Sequence, residues 1–259
     1  MSLLSWIIVF CLLGGLLSVL AAALFLVLSD SLRNRLLPHL VSFATGTLLG
    51  AAFLGLLPHA LDSVAGTDAH VIPMAVLLGL LGFFLLEKLV LWRHCHADHC
   101  EVHAPDEESH DHSTGAMILI GDGLHNFLDG ILIAGAFLTD IHLGVVTSVA
   151  VAAHEIPQEV GDFAVLLHSG FTRGRAFLYN ILTSLTTVIG GVLAYFTLQQ
   201  MQAALPFVLA IAASSFIYIA VADLIPTLHR RVEGSATVQQ IVLIAAGILL
   251  IYSTHSTLH

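Results

Sequence analysis

The sequence predicts an all-α polytopic membrane protein with eight transmembrane helices, and three observations carry that reading. Of 259 residues, 57% are hydrophobic and only 10% are charged, whereas soluble domains carry roughly a quarter charged residues. The mean hydropathy is +0.94, so the bilayer is the expected solvent. The apolar residues gather into long runs rich in Leu, Ala, Ile and Val. Runs of about 20 residues cross roughly 30 Å of hydrocarbon as helix, and barrel strands would instead show short alternating segments.

The first run covers 3–28. No Lys or Arg precedes it, its nearest cations Arg33 and Arg35 follow it, and it is too long for the apolar core of a signal peptide. It is therefore expected to remain in the membrane with its N-terminus outside. The second and third runs cover 39–61 and 72–92, the fourth and fifth 114–138 and 143–168, and the last three 175–198, 205–226 and 237–254. Together they leave room for a single transmembrane domain over 1–259.

All eight basic residues test the orientation. Arg33 and Arg35 follow the first run, Lys88 and Arg93 close the third, Arg173 and Arg175 follow the fifth, and Arg230 and Arg231 follow the seventh. The connections after runs two, four and six hold none. The positive-inside rule places the basic connections in the cytoplasm and both termini on the other face. The formal charge of −10 also removes nucleic acid as a partner, because such binding needs a basic footprint.

One connection is long, the His-rich segment 93–113. It holds His94, His96, His99, His103, His110 and His112 with Cys95, Cys100 and six acidic residues. It lacks the apolar area to fold and is expected as a cytoplasmic loop, either a weak metal-capturing strand or a solvated acidic tether. No regular ligand spacing marks a structural zinc site, and three cysteines make no disulfide framework.

Chemistry concentrates in the fourth and fifth runs. The fourth holds Asp122, His125, Asn126 and Asp129; the fifth holds His154, Glu155, Gln158, Glu159 and Asp162. Both sets lie near the middle of their spans, where one carboxylate costs about 2.5–3.5 kcal/mol on insertion scales. No Lys or Arg shares their depth. Either protons or a cation from outside must neutralise them. Residues three and four apart share a helix face, so His125 stands with Asp129, Asp122 lies beneath His125 and Asn126, and His154 stands over Gln158. Glu155, Glu159 and Asp162 form a further row. Two imidazoles converging with carboxyl and amide oxygens describe a metal cage better than a proton relay. The mixture suits Zn²⁺, with Fe²⁺, Mn²⁺, Co²⁺ or Cd²⁺ as related ions, whereas Mg²⁺ and Ca²⁺ prefer oxygen alone.

Further features extend the cage into a route. Pro157 cannot donate to the Ala153 carbonyl, so a bend is expected beside His154. His59 and Asp62 mark a candidate entrance outside; Glu159, Asp162 and His168 descend toward the cytoplasm, as does Asp122. An interfacial histidine with one hydrogen bond serves equally well as a reading of His59 and of His168.

The eight-span plan, the His-rich connection, HNFLDG at 125–130 and HEIPQEVGD at 154–162 together resemble the ZIP (Zrt/Irt-like) family of metal transporters. The second motif is similar to the subfamily with a His-Glu-x-Pro-His-Glu signature, with Gln158 in place of the second His. The resemblance implies a ZIP-like fold, no enzymatic activity, and Zn²⁺ as transported substrate entering the cytoplasm. It implies a two-metal centre built by His125, Asn126, Asp129, His154, Glu155 and Gln158, with Glu159 in a second tier. Some relatives add an acid from the sixth span, which here offers only Thr183, Ser184, Thr186 and Thr187. The resemblance also implies motion of spans one, four, five and six against spans two, three, seven and eight, homodimerisation through the latter, and a place in the cell (inner) membrane.

The rival reading is an intramembrane zinc metalloprotease, since His154-Glu155 opens a His-Glu-x-x-His pattern and LDG stands at 128–130. Zincin chemistry needs a second imidazole one turn on, beside a Glu base. Position 158 is Gln, and LDG precedes rather than follows the His-Glu pair.

Overall fold

The computed structural model describes residues 2–66, 68–94, 112–230 and 234–258. Eight helical rods account for nearly all of them, with no strand among the described residues. α1 is Leu3–Val27, and α2 runs through Asp30–Gly50, a π-helical turn at Ala51–Leu56 and Leu57–Ser63. α3 is Val71–His94, α4 His112–Thr139, α5 Ile141–His168 and α6 Arg173–Leu198. α7 runs through Leu205–Tyr218, a π turn at Ile219–Leu224 and Ile225–Leu228, and α8 is Gly234–Leu258. The expected His-rich segment yields its ends to α3 and α4; its interior, 95–111, lies outside the described residues.

Seven rods are long and apolar enough to cross a membrane. α5 is equally long but carries Glu155, Glu159 and Asp162. Its position explains why it tolerates them. α5 packs against α1, α2, α4, α6 and α8, so protein rather than lipid surrounds most of its circumference, as buried ionisable groups require.

The helices sort into two bundles by their packing. α4 packs most extensively on α6, and both join α1 and α5; α2 packs on α8 and α7, and α7 on α3. This is the division of spans one, four, five and six from two, three, seven and eight that the resemblance implied. Each bundle is held by backbone-to-backbone approach. A Cβ at Gly130 of α4 would overlap the Thr187 carbonyl of α6, and one at Gly190 would overlap the Phe127 carbonyl. In the other bundle, a Cβ at Gly46 of α2 would overlap the Ile244 carbonyl of α8. Small residues permit this close packing in lipid, where no hydrophobic drive presses helices together. Between the bundles, α5 meets α2 through side chains, Leu143 and Val146 lying against Gly55.

Prolines shape the rods unequally. Each π turn is followed within two residues by a proline, Pro58 in α2 and Pro226 in α7. A widened turn accommodates the missing N–H and the ring's pressure on the carbonyl four residues back. α5 instead continues through Pro157 as α-helix.

Candidate metal centre

α4 and α5 are each 28 residues long, and His125 and His154 both occupy the fourteenth position. The single residue Asp140 joins the two helices. Equal lengths and a one-residue reversal therefore bring both imidazoles to one depth, halfway along the rods. Asp140 caps α5, its Oδ1 accepting from the amides of His142 at 2.8 Å and Leu143 at 3.0 Å. Burial pushes the Asp140 carboxyl up, but those amides and the nearby His142 and His59 outweigh it and hold the group below its ordinary value.

Four side chains converge at the centre. The Nε2 atoms of His125 and His154 are 3.2 Å apart. Glu155 Oε1 lies 3.3 Å from His125 Nε2 and 3.7 Å from His154 Nε2, and Asp129 Oδ2 lies 3.7 Å and 3.4 Å from the same atoms. A tetrahedral ion with bonds of 2.0–2.1 Å would hold its ligand atoms about 3.3 Å apart. Five of the six edges, 3.2–3.7 Å, lie near that figure, and the sixth, between the Asp129 and Glu155 oxygens, is within 4.8 Å, so the four residues fit one Zn²⁺-sized ion after adjustment of the carboxylates. His154 Nδ1 donates to the Ala150 carbonyl at 3.1 Å, which leaves the Nε2 lone pair facing the centre, the orientation a metal-binding imidazole needs. Phe216 of α7 backs the same ring edge-on at 6.1 Å.

A second group lies beside the first. Oxygens of Asp122, Glu155 and Glu159 come within 4.8 Å of one another, and all three residues are buried. Glu155 belongs to both groups. The carboxylate oxygens of Asp129, Glu155 and Glu159, with Asp122 Oδ2 and Asp162 Oδ2, accept no hydrogen bond among the described residues. At the insertion cost of about 2.5–3.5 kcal/mol each, five such groups in hydrocarbon would cost as much as a whole domain's stability of roughly 5–15 kcal/mol. They need protons or a cation, and among the described residues no Lys or Arg pairs with them.

The other expected ligands stand differently. Asn126 is fully buried, but its amide is engaged elsewhere: Nδ2 donates to the Asp122 carbonyl and Oδ1 at 3.2 and 2.8 Å, and Oδ1 accepts from Thr187 Oγ1 at 2.8 Å. Gln158 is half-buried on the turn after His154. Of the α6 hydroxyls, Thr186 donates to the Gly123 carbonyl and Ser184 to its own helix at Ile181. At the flanks, His59 Nδ1 bonds the Gly55 carbonyl at 2.8 Å, and His168 is exposed at the end of α5.

A family profile described as "ZIP Zinc transporter" matches residues 2–115 and 92–254. The chain belongs to the ZIP family. "Zinc transporter ZIP13" of Pongo abelii is 32% identical over 226 residues, 83% of this chain and 65% of the relative. "Zinc transporter zipt-7.2" of Caenorhabditis elegans is 30% identical over 274 residues, 86% and 59% respectively. "Zinc transporter ZIP10" of Homo sapiens is 36% identical over 169 residues, covering 61% of this chain and 20% of the relative. The chain thus spans less than two thirds of the length of these curated relatives.

Membership in a family of transporters removes the protease reading. Two features of this ZIP protein escape a reading of residue types: the Thr187 bond that fixes Asn126, and the Phe216 ring behind His154. The first depends on the register of α4 against α6. The second is one apolar residue among many on α7, with no signal to single it out.

Proposed function

We propose that this chain carries a divalent transition metal, Zn²⁺ foremost, across the bilayer into the cytoplasm through a two-part centre on α4 and α5. The observation that carries the reading is the convergence of ligand atoms from His125, Asp129, His154 and Glu155 at half-depth, three of the four residues buried and none of them paired with a Lys or Arg among the described residues. The zinc in the relatives' names supports the choice of ion. Fe²⁺ and Cd²⁺ compete for the same mixed nitrogen and oxygen set, and Mn²⁺, which favours carboxylate oxygen, competes through the oxygen ligands of the centre.

The ion sheds water as it enters from outside, past His59 and Asp62, and takes the four-atom set. Glu155 then pivots it to the all-oxygen group with Asp122 and Glu159, and Asp162 lies on the way out. Asn126 supports the centre by holding Asp122 in place, and Gln158 supplies an amide oxygen when α5 shifts. Rocking or sliding of the α1, α4, α5 and α6 bundle against the other four helices alternates access. The whole of 1–259 acts as one transporter domain with 93–113 in the cytoplasm and both termini outside, in a cell (inner) membrane. The exposed faces of α3 and α8 pair two copies as a homodimer.

Metal uptake into proteoliposomes holding the full chain tests the proposal. Wild type accumulates Zn²⁺, and His125→Ala and Glu155→Ala reduce accumulation to that of empty vesicles. Uptake surviving both substitutions would overturn the assignment.

A further inference from the structure

The face of α4 turned away from the metal ligands carries a groove that transport does not use. It lies between α4 and α6, encloses about 470 Å³, and is walled by Leu119, Gly123 and Phe127 on one side and Tyr179, Thr183 and Thr186 on the other. The threonines do not make it polar. Thr183 donates its hydroxyl to the carbonyls of Tyr179 and Asn180, and Thr186 donates to those of Gly123 and Thr183. Their methyl groups are what face Gly123, with Cγ2 atoms 3.7 and 4.0 Å from where its Cβ would stand. Glycine at 123 keeps the groove open, because a longer side chain there would fill it.

Length and charge identify the occupant. On α6 the groove runs from Tyr179 to Ile189, eleven residues whose ten steps of 1.5 Å make about 15 Å of helix, which is half of a roughly 30 Å hydrocarbon core and hence the depth of one leaflet. Tyr179, stacked edge-on against Phe171 at 5.7 Å, stands at the groove's lower end, where amphipathic rings mark the interface. Arg175 lies one turn below on the same helical face, with Arg173 in the same first turn. Both are exposed and neither forms an ion pair among the described residues. The positive end of the α6 dipole, capped by Thr172, points to the same rim.

We propose that this groove holds an acyl chain of an anionic phospholipid from the leaflet at the arginine end, with its phosphate on Arg175. The arginine fork suits phosphate oxygens, and each basic residue at the rim favours an anionic over a zwitterionic lipid by about five-fold. The lipid would brace α4 and α6 from outside, directly behind His125. The inference rests on the membrane placement of the helices and not on the transport site, so the two fail separately.

Native mass spectrometry of the full chain, released from mixed phosphatidylcholine and phosphatidylglycerol, tests it. Wild type is expected to retain one tightly held lipid per chain, phosphatidylglycerol over phosphatidylcholine by on the order of ten-fold. The surface substitution Arg175→Gln brings that ratio within about two-fold of unity, and the double substitution with Arg173→Gln lowers it no further. Gly123→Phe removes the retained lipid of either headgroup. Equal retention of the two lipids by wild type, or a preference that survives the double substitution, would overturn the proposal. So would a dimer that dissociates in Gly123→Phe, since a second copy would then be the occupant.

Discussion

The two ligand groups at the centre of the molecule use the same two helices and share Glu155, yet differ in everything that sets affinity. The group of His125, Asp129, His154 and Glu155 offers two imidazoles and near-tetrahedral spacing, with His154 oriented by the Ala150 carbonyl. The group of Asp122, Glu155 and Glu159 offers oxygen alone, and the Asn126 amide orients Asp122 among its outer members. The first suits a borderline ion such as Zn²⁺; the second suits harder ions and holds Zn²⁺ less tightly. On the proposed route, one helical turn would therefore separate a capture position from a release position.

The largest expected effect comes from the shared residue. Glu155→Gln removes an anionic ligand from both groups, and Zn²⁺ affinity of the solubilised full chain, read by chelator competition, should fall on the order of 100-fold. Proteoliposome uptake should fall to background with it. His154→Ala is next, and it separates the groups. Zn²⁺ affinity should drop about 10- to 100-fold, while Mn²⁺, an oxygen-preferring ion, binds within about three-fold of wild type. Equal losses for both ions would mean that the two groups form a single site.

Much of this arrangement was legible in the chain, and the parts that were not share a cause. Spacing along one helix placed His125 beside Asp129 and Asp122 beneath Asn126, and both pairs appear. Spacing cannot report register between helices. The Thr187 hydroxyl reaches the Asn126 side-chain oxygen because Gly130 and Gly190 let α4 and α6 close to backbone contact at that level, a contact between helices that no spacing along one helix contains. Hydropathy found every rod but shortened α2, whose first turns include Arg33, Asn34 and Arg35 and begin at Asp30 rather than 39. Polar residues at a helix end lower the average without ending the helix. The π turns of α2 and α7 left only Pro58 and Pro226 as signs, and a proline marks a disturbed turn without stating which way it resolves.

A smaller and sharper test falls on Glu159, which belongs to the oxygen group alone. Glu159→Gln should leave equilibrium Zn²⁺ affinity within about three-fold, because the four-atom set is intact, and should slow uptake on the order of ten-fold by weakening the release position. If Glu159→Gln instead costs as much Zn²⁺ affinity as His154→Ala, the division between capture and release is wrong.

The smallest effect is expected farthest from the ions, at the reversal that brings His125 and His154 to one depth. Asp140→Asn keeps a capping oxygen but loses its charge at the start of α5, and should lower stability by about 0.5 kcal/mol or less. The contribution of the charge has a definite sign with pH. The Asp140 carboxyl lies below its ordinary value in the folded chain, so its stabilisation is present above the ordinary carboxylate pKa and is lost as pH falls through the lower folded value. The wild-type and Asp140→Asn melting temperatures should therefore differ slightly near neutrality and converge in acid. Because α5 carries ligands of both groups, the substitution should leave the ratio of Zn²⁺ to Mn²⁺ affinity unchanged. A changed ratio would show that the reversal tunes one group against the other instead of only aligning α4 with α5.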